Sequence, residues 1–285
     1  MEQPNKKICF CYSGEGARGS IQAGITKSLI DQGIVPDLTI GVSSGSICAS
    51  SYSYLGSDGL VDLWNSIGSV LDVFGFNYDF LWRTGFLNSW PLEKRVRKIV
   101  HDNPLCESVV SKLNIENGRL QYISNKNSDK ETFINSVIAS IAITTLVEDK
   151  DGWVDAGSRQ LAPIDQAVQL GCTDIYIITG RPMELQYWIK PTGFLSLFKL
   201  GLRALDISLY ELMLRDINNW IMDNNKIQKH NLNITLLQPK DFIFESTEFK
   251  KCKIGTKYGL TEYRSYNPEQ MNELFNSCKT MNFLN

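Results

Sequence analysis

Leu38-Thr39-Ile40-Gly41-Val42 is a short uncharged run that passes without a linker into Ser43-Ser44-Gly45 and then into Ile47, Cys48, Ala49 and Tyr52. The first five residues have the continuous apolar pattern of a strand buried on both faces, and the last four have helical spacing. A strand that turns directly into a helix is one half of a parallel α/β unit, and the residues before it supply the other half. Lys7 to Tyr12 is a second buried run. A glycine cluster follows, then Ile21, Ile25, Leu29 and Ile30 at helical spacing, with Gly33 and Pro36 as stop signals. The chain therefore opens as strand, helix, strand, helix, which predicts a three-layer α/β/α fold with a largely parallel central sheet.

The same rhythm extends towards the C-terminus. Trp153 to Gly157 reads as a short strand with its turn, Ile164 to Leu170 as a helix stopped by Gly171, and Asp174 to Thr179 as another buried strand. From Leu195 to Met222 apolar residues step by threes and fours, predicting one long amphipathic helix that packs on the sheet. Asn233 to Leu237 is a late strand, and Pro268 opens a terminal helix. In the middle of the chain, Leu60 to Val100 is rich in aromatics and is expected to hold two or three helices. Leu120 to Ser124 and Glu131 to Ile134 are expected to pair as a hairpin around Asn125 to Lys130, with a helix from Ser136 to Ile143. No internal repeat, low-complexity segment or linker divides the chain, so residues 1–285 are expected to form a single domain.

Composition narrows the functions. The 29 Lys and Arg against 31 Asp and Glu leave a net charge of −2, so no basic field exists for nucleic acid to bind. The seven cysteines form an odd set without a C-x-x-C pair and read as reduced thiols, which suits a cytoplasmic protein. The apolar run Ile8 to Tyr12 is too brief for a signal peptide, and the uncharged stretch Leu38 to Ser57 is too rich in serine and glycine for a membrane helix. A cytoplasmic location, peripheral to a membrane at most, is expected. No His/Cys/Asp/Glu cluster has metal-ligand spacing, and no cofactor is implied.

Three segments carry chemistry. Gly41-Val42-Ser43-Ser44-Gly45 is a G-x-S-x-G sequence between strand and helix, the context of a nucleophile elbow in which small residues flank a serine held clear of the strand end. The plainer alternative is a glycine-rich turn with a capping serine. Gly14-Glu15-Gly16-Ala17-Arg18-Gly19 matches the dinucleotide pattern G-x-G-x-x-G, but the acidic residue that should end the second strand is missing, because Asp37 precedes that strand. The same glycines suit an oxyanion hole, since backbone N–H groups bared at a helix start stabilise a developing negative charge. Asp155-Ala156-Gly157 ends a strand and places a carboxylate where it can serve Ser43 as base, though turn aspartates are also common before Ala-Gly. His101 and His230 are the alternatives, and a Ser…Asp…His order ending at His230 would match an α/β-hydrolase.

In order and spacing these segments resemble the patatin-like phospholipase family, with its glycine loop, G-x-S-x-G and D-[GA]-G signatures. Pro163, Ile164 to Ala167 and Leu170-Gly171 continue the likeness, and Arg203 to Asn219 and Pro268 to Cys278 resemble the bacterial branch. The sequence departs from the family at Glu15, often glycine, at Gln160 and Leu161, where asparagine is usual, and after Ala142, where no proline follows. The resemblance implies a serine lipid acyl hydrolase, of phospholipase A or lysophospholipase type, with a catalytic dyad of Ser43 and Asp155. It also implies an oxyanion hole from the Gly14–Gly19 loop, a phospholipid or lysophospholipid substrate, and no metal. Peripheral membrane contact is expected; Trp188, Phe194, Leu195, Leu197 and Phe198, mixed with Lys190 and Lys199, read first as ordinary packing of a helix and its entry loop and second as a membrane-facing edge near the site. The Glu15 side chain is expected to leave the loop towards solvent or to pair with Arg18. A catalytically weak member that binds a membrane or a protein is the alternative if that carboxylate opposes the oxyanion.

Overall fold

Parallel strands need crossover connections, and the chain supplies a helix for nearly every one. The computed structural model describes residues 6–184, 192–193 and 196–282. In chain order, β1 (Ile8–Tyr12) and α1 (Gly19–Asp31) are followed by β2 (Leu38–Gly41) and α2 (Ser44–Asn65). Then come β3 (Gly75–Phe76), β4 (Gly85–Asn88), α3 (Trp90–Ile99), β5 (Glu107–Asn114), β6 (Leu120–Ser124), α4 (Lys130–Ser140), β7 (Thr145–Val147) and β8 (Trp153–Asp155). The rest consists of α5 (Ile164–Gln169), β9 (Asp174–Ile178), α6 (Ser196–Ile221), α7 (Asn224–His230), β10 (Asn233–Pro239), α8 (Cys252–Thr261), β11 (Tyr263–Tyr266) and α9 (Pro268–Asn282).

The main sheet runs β11-β10-β9-β1-β2-β5-β6, with β10, β9, β1, β2 and β5 parallel and both edge strands antiparallel. Its two faces bury separate cores. Phe10 and Tyr12 of β1 point to one, with Ile21 and Ile25 of α1 and Trp64 of α2. Cys9 and Cys11 point to the other, with Tyr210, Met213 and Ile217 of α6. This period-2 split of one strand between two helix layers is the three-layer α/β/α arrangement the sequence predicts.

The eighth strand explains where the chemistry sits. Strand β5 is bonded to β6 over Val109–Leu113, to β2 over Glu107–Val110 and to β8 over Lys112–Asn114. Because β6 already covers one edge at Lys112 and Leu113, β8 must take the other edge, which is the one β2 uses lower down. Strand β2 ends opposite Val110, and β8, running the opposite way, ends at Asp155 opposite Lys112. The two chains therefore arrive head to head on one edge of β5, the elbow from below and Asp155 from above. The sequence reading placed Asp155 on a strand of the parallel set; β8 is antiparallel, and its direction is what turns Asp155 towards Ser43.

Other expectations change in the middle of the chain. Residues 60–100 hold the end of α2 and one further α-helix, α3. The remainder contributes β3 and β4, which join β7 in a separate three-stranded sheet. Glu131 to Ile134 is the first part of α4 and not a strand, because Asp129 caps that helix by accepting from the Thr132 amide at 2.9 Å. Strand β6 pairs with β5, whose polar Ser108, Ser111 and Lys112 hide it from a reading based on apolar runs.

Candidate active site

Ser43 is the residue at which β2 becomes α2, and its backbone takes φ 53° and ψ −130°, a left-handed conformation that stores on the order of 1–3 kcal/mol in a non-glycine residue. Close packing on both sides holds it there. A Cβ on Gly41 would lie 2.1 Å from the Gly45 carbonyl oxygen, and one on Gly45 would lie 2.4 Å from that of Tyr12. The turn thus touches backbone to backbone, and only glycine fits. Although Ser43 occupies the N-cap position of α2, its hydroxyl makes no capping hydrogen bond.

A chain of serines secures the turn from beneath. The Ser43 amide donates to Ser140 Oγ at 3.0 Å, Ser140 and Ser46 share a hydrogen bond at 2.7 Å, and Ser46 Oγ donates to the Gly41 carbonyl at 2.9 Å. With one proton per hydroxyl, the directions close only if Ser140 donates to Ser46. Ser140 ends α4, and no motif marks it in the sequence.

Asp155 is buried, with the Gly157 amide donating to its Oδ1 at 2.7 Å, and the Ser43 hydroxyl stands close enough to act on its carboxyl. Burial pushes its carboxyl up to about 6, while Ser43 and the Gly157 amide hold back part of that rise. The sequence-predicted pair is therefore brought together, and its acid titrates in the range a general base uses near neutral pH. Ala156 and Gly157 are buried beneath the turn.

The glycine loop closes over the same point. Gly14 packs so near the elbow that a Cβ there would come within 2.5 Å of Ser43 Cβ. Among the described residues, the Gly14 and Gly16 amides donate to no protein acceptor, whereas the Glu15 amide donates to Ser44 Oγ at 2.9 Å. Of the amides in the loop expected to form the oxyanion hole, Glu15's is therefore already engaged. Ala17 donates to the Ser246 carbonyl at 2.7 Å, and Gly19 opens α1 against Trp64. The Glu15 side chain does not reach solvent: it is 4% exposed, accepting from Ser13 Oγ at 2.6 Å and from the Gly180 amide at 2.9 Å. Its second oxygen lies 3.6 Å from Arg18 Nε, the pairing expected as the other outcome.

Helix α6 fastens both loops with two aspartates. Asp206 receives Arg18 at 2.9 Å, Arg181 at 3.0 Å and Arg203 at 3.2 Å. Burial alone would raise its carboxyl, but the charges of Arg18 and Arg181 outweigh burial and hold it below the usual range. Asp216 accepts from the amides of Leu161 and Ala162 at 2.7 and 3.1 Å, fixing the chain that follows Asp155. Neither aspartate stands out in the sequence, because each sits on a helix with no motif around it.

Ser43, Asp155, Gly14 and Gly16 border a cavity of about 600 Å³, the size of a small-molecule site, with walls that are mostly apolar. Ile47, Phe74, Ile141, Leu202 and Leu209 line its interior, and Arg18, Arg181, Lys199 and Asp206 form a charged side. Among the described residues no group of three or more His, Cys, Asp and Glu is placed to hold a metal ion. The histidines lie elsewhere. His230 ends α7 and packs on Trp220, three residues before β10 starts level with Asp174 and Ile8 at the amino edge of the sheet. His101 packs on Tyr54 ahead of β5, at that same edge. Ser43 is at the carboxyl edge, so a base at His230 is ruled out by the length of the strands between. Of the expected membrane-facing segment, Trp188 and Lys190, and the side chains of Phe194, Leu195, Leu197 and Phe198, lie outside the described residues.

A model of the patatin-like phospholipase family matches residues 10–168, more than half of the chain, and the chain belongs to that family. Membership makes it a lipid hydrolase by class. Among solved structures it is similar to VipD from Legionella pneumophila, with a TM-score of 0.39 and 10% identity over 92% of this chain and 68% of that one. It is also similar to the type III effector protein ExoU, with a TM-score of 0.35 and 12% identity over 93% of this chain and 55% of that one. No curated protein sequence matches it.

Proposed function

We propose that residues 1–285 act as one catalytic domain, a phospholipase A-type or lysophospholipase acyl hydrolase that works through Ser43 and Asp155. The observation that carries this reading is the head-to-head meeting of β2 and β8, with Ser43 and Asp155 both bordering one largely apolar cavity. In the first step Ser43 Oγ attacks the ester carbonyl as its proton passes to Asp155, and the Gly14 and Gly16 amides receive the oxyanion. Collapse breaks the bond to the leaving alcohol, which takes the proton from Asp155 and departs as the deacylated lipid. Water then attacks the acyl-serine, giving one proton to Asp155, and release of the fatty acid returns that proton to Ser43. The apolar walls suit an acyl chain, and a substrate resident in a bilayer implies peripheral contact with a membrane.

Ser43→Ala is the direct test. A fluorophosphonate probe should label the parent and not the variant, and hydrolysis of phospholipid or lysophospholipid should fall by at least about 10³-fold, the loss expected for a missing nucleophile. Labelling that persists in Ser43→Ala, or activity above a tenth of the parent's, would remove Ser43 from the role. The reading of a catalytically weak binding module loses its motive, because the Glu15 carboxylate is already bound by Ser13, Gly180 and Arg18.

A further inference from the structure

The hairpin formed by β3 and β4 engages its polar groups with one another and with the segment after β7: buried Asn77 donates to the carbonyls of Gly85 and Leu87 and to Glu148, while at the exposed tip Arg83 reaches Glu148 at 2.9 Å and Asp79 at 3.0 Å, and Thr84 bonds Asp149. Its apolar groups are left outside. Tyr78 is 95% exposed, Trp82 90% and Leu81 80%, and nine large apolar side chains are exposed between Val70 and Trp90. A water-facing hairpin places such residues inward, and a cluster of exposed apolar side chains of this extent marks an interaction site.

We infer that the Val70–Trp90 face is the surface by which the protein seats on a phospholipid bilayer, with Tyr78, Leu81 and Trp82 entering the interface. The inference rests on the lipid-hydrolase reading. Continuity with the cavity selects the bilayer: Leu71, Phe76 and Phe86 are exposed on this face and also line the cavity that reaches Ser43. An acyl chain leaving a bilayer seated here passes into the cavity over an unbroken apolar surface, while a protein partner on the same face would cover the mouth. The residue types agree, since Trp and Tyr favour the headgroup level where one end of the ring is dry and the other wet. Beside the hairpin, Trp90, Lys94 and Lys98 recur every four residues along α3, with the Lys94 ammonium 3.6 Å from the centre of the Trp90 ring. Exposed lysines in that row face where anionic headgroups would lie.

The test uses Ser43→Ala protein, which leaves vesicles intact, and compares it with the same protein carrying Tyr78→Ser, Leu81→Ser and Trp82→Ser. With vesicles of equimolar phosphatidylcholine and phosphatidylglycerol, the triple change should weaken co-sedimentation at least about tenfold. Brominated acyl chains should quench fluorescence of the parent more than that of Trp82→Phe. With Ser43 restored, the triple change should lower hydrolysis of vesicle lipid at least about tenfold and leave hydrolysis of a short-chain dissolved ester unchanged. Undiminished vesicle binding, quenching independent of Trp82, or equal loss on both substrates overturns the inference. Failure of the parent to hydrolyse either substrate would instead count against the catalytic reading, because vesicle binding is read on protein that lacks the nucleophile.

Discussion

Around Ser43 two backbones meet with no room for a methyl group, and at the hairpin tip Trp82 is 90% exposed. Both regions serve one cavity, yet they answer to different constraints. The elbow is fixed by hard contacts inside the fold, so its residues are dictated by geometry. The hairpin is fixed by its polar staples to Glu148 and Asp149, and its outward residues are free to follow whatever they touch outside the protein. A substitution should therefore damage stability at the first region and association at the second.

The contrast is sharpest at Gly45. Gly45→Ala places a Cβ 2.4 Å from the Tyr12 carbonyl and 2.8 Å from that of Ser13, both at the end of the central strand, and should destabilise the fold by about 5 kcal/mol in urea titration. A loss under about 1 kcal/mol would show that the elbow can move away from β1. Glu15→Gly comes next, at about 4 kcal/mol, because it strips Arg18 of one buried partner, leaves the Gly180 amide without an acceptor and leaves Ser13 Oγ only the Ile178 carbonyl at 3.4 Å. Turnover of a dissolved ester should not rise; a tenfold gain would mean that the carboxylate opposes the oxyanion after all.

Asp155→Asn reverses the sign. The folded carboxyl titrates at about 6 against an ordinary 3.8, so between those values the folded chain binds more protons than the unfolded one and stability falls as pH rises. Asparagine escapes that loss. The variant should lose catalysis yet exceed the parent in stability by up to about 3 kcal/mol above pH 6, with the advantage vanishing below 3.8. Parent activity should rise with pH through about 6, as Asp155 gives up its proton. Trp82→Ser is the smallest change, within about 0.5 kcal/mol in urea titration, and a larger shift would make the tip part of the folded core.

What could be read in the sequence follows the same divide. Gly41, Gly45 and Gly14 announce themselves because close approach excludes every larger residue, and the buried strands β1, β2 and β9 are short runs without a charged residue inside them. Ser140, Asp206 and Asp216 were hidden, since a serine or an aspartate on a helix has the same local pattern whether it faces solvent or holds a loop. Strand β8 was visible but its direction was not, because only its pairing with β5 reveals it. The aromatics of residues 60–100 suggest helices, as apolar spacing assumes that large side chains turn inward; Trp64 and Phe74 do, but Phe76, Tyr78, Phe80, Trp82, Phe86 and Trp90 turn outward.

The bond between Arg18 and Asp206 spans 188 positions of sequence. A contact of such separation forms late, after the intervening chain has been made and folded. Until α6 docks, the first glycine loop carries a cation with one of its two acidic partners missing, and the segment after Asp155 lacks the Asp216 clamp as well. On the proposed roles, the order of synthesis becomes an order of activation: nucleophile first, base second, and last the helix that holds their loops still. A chain interrupted before α6 would possess Ser43 and Asp155 and yet have no settled catalytic geometry.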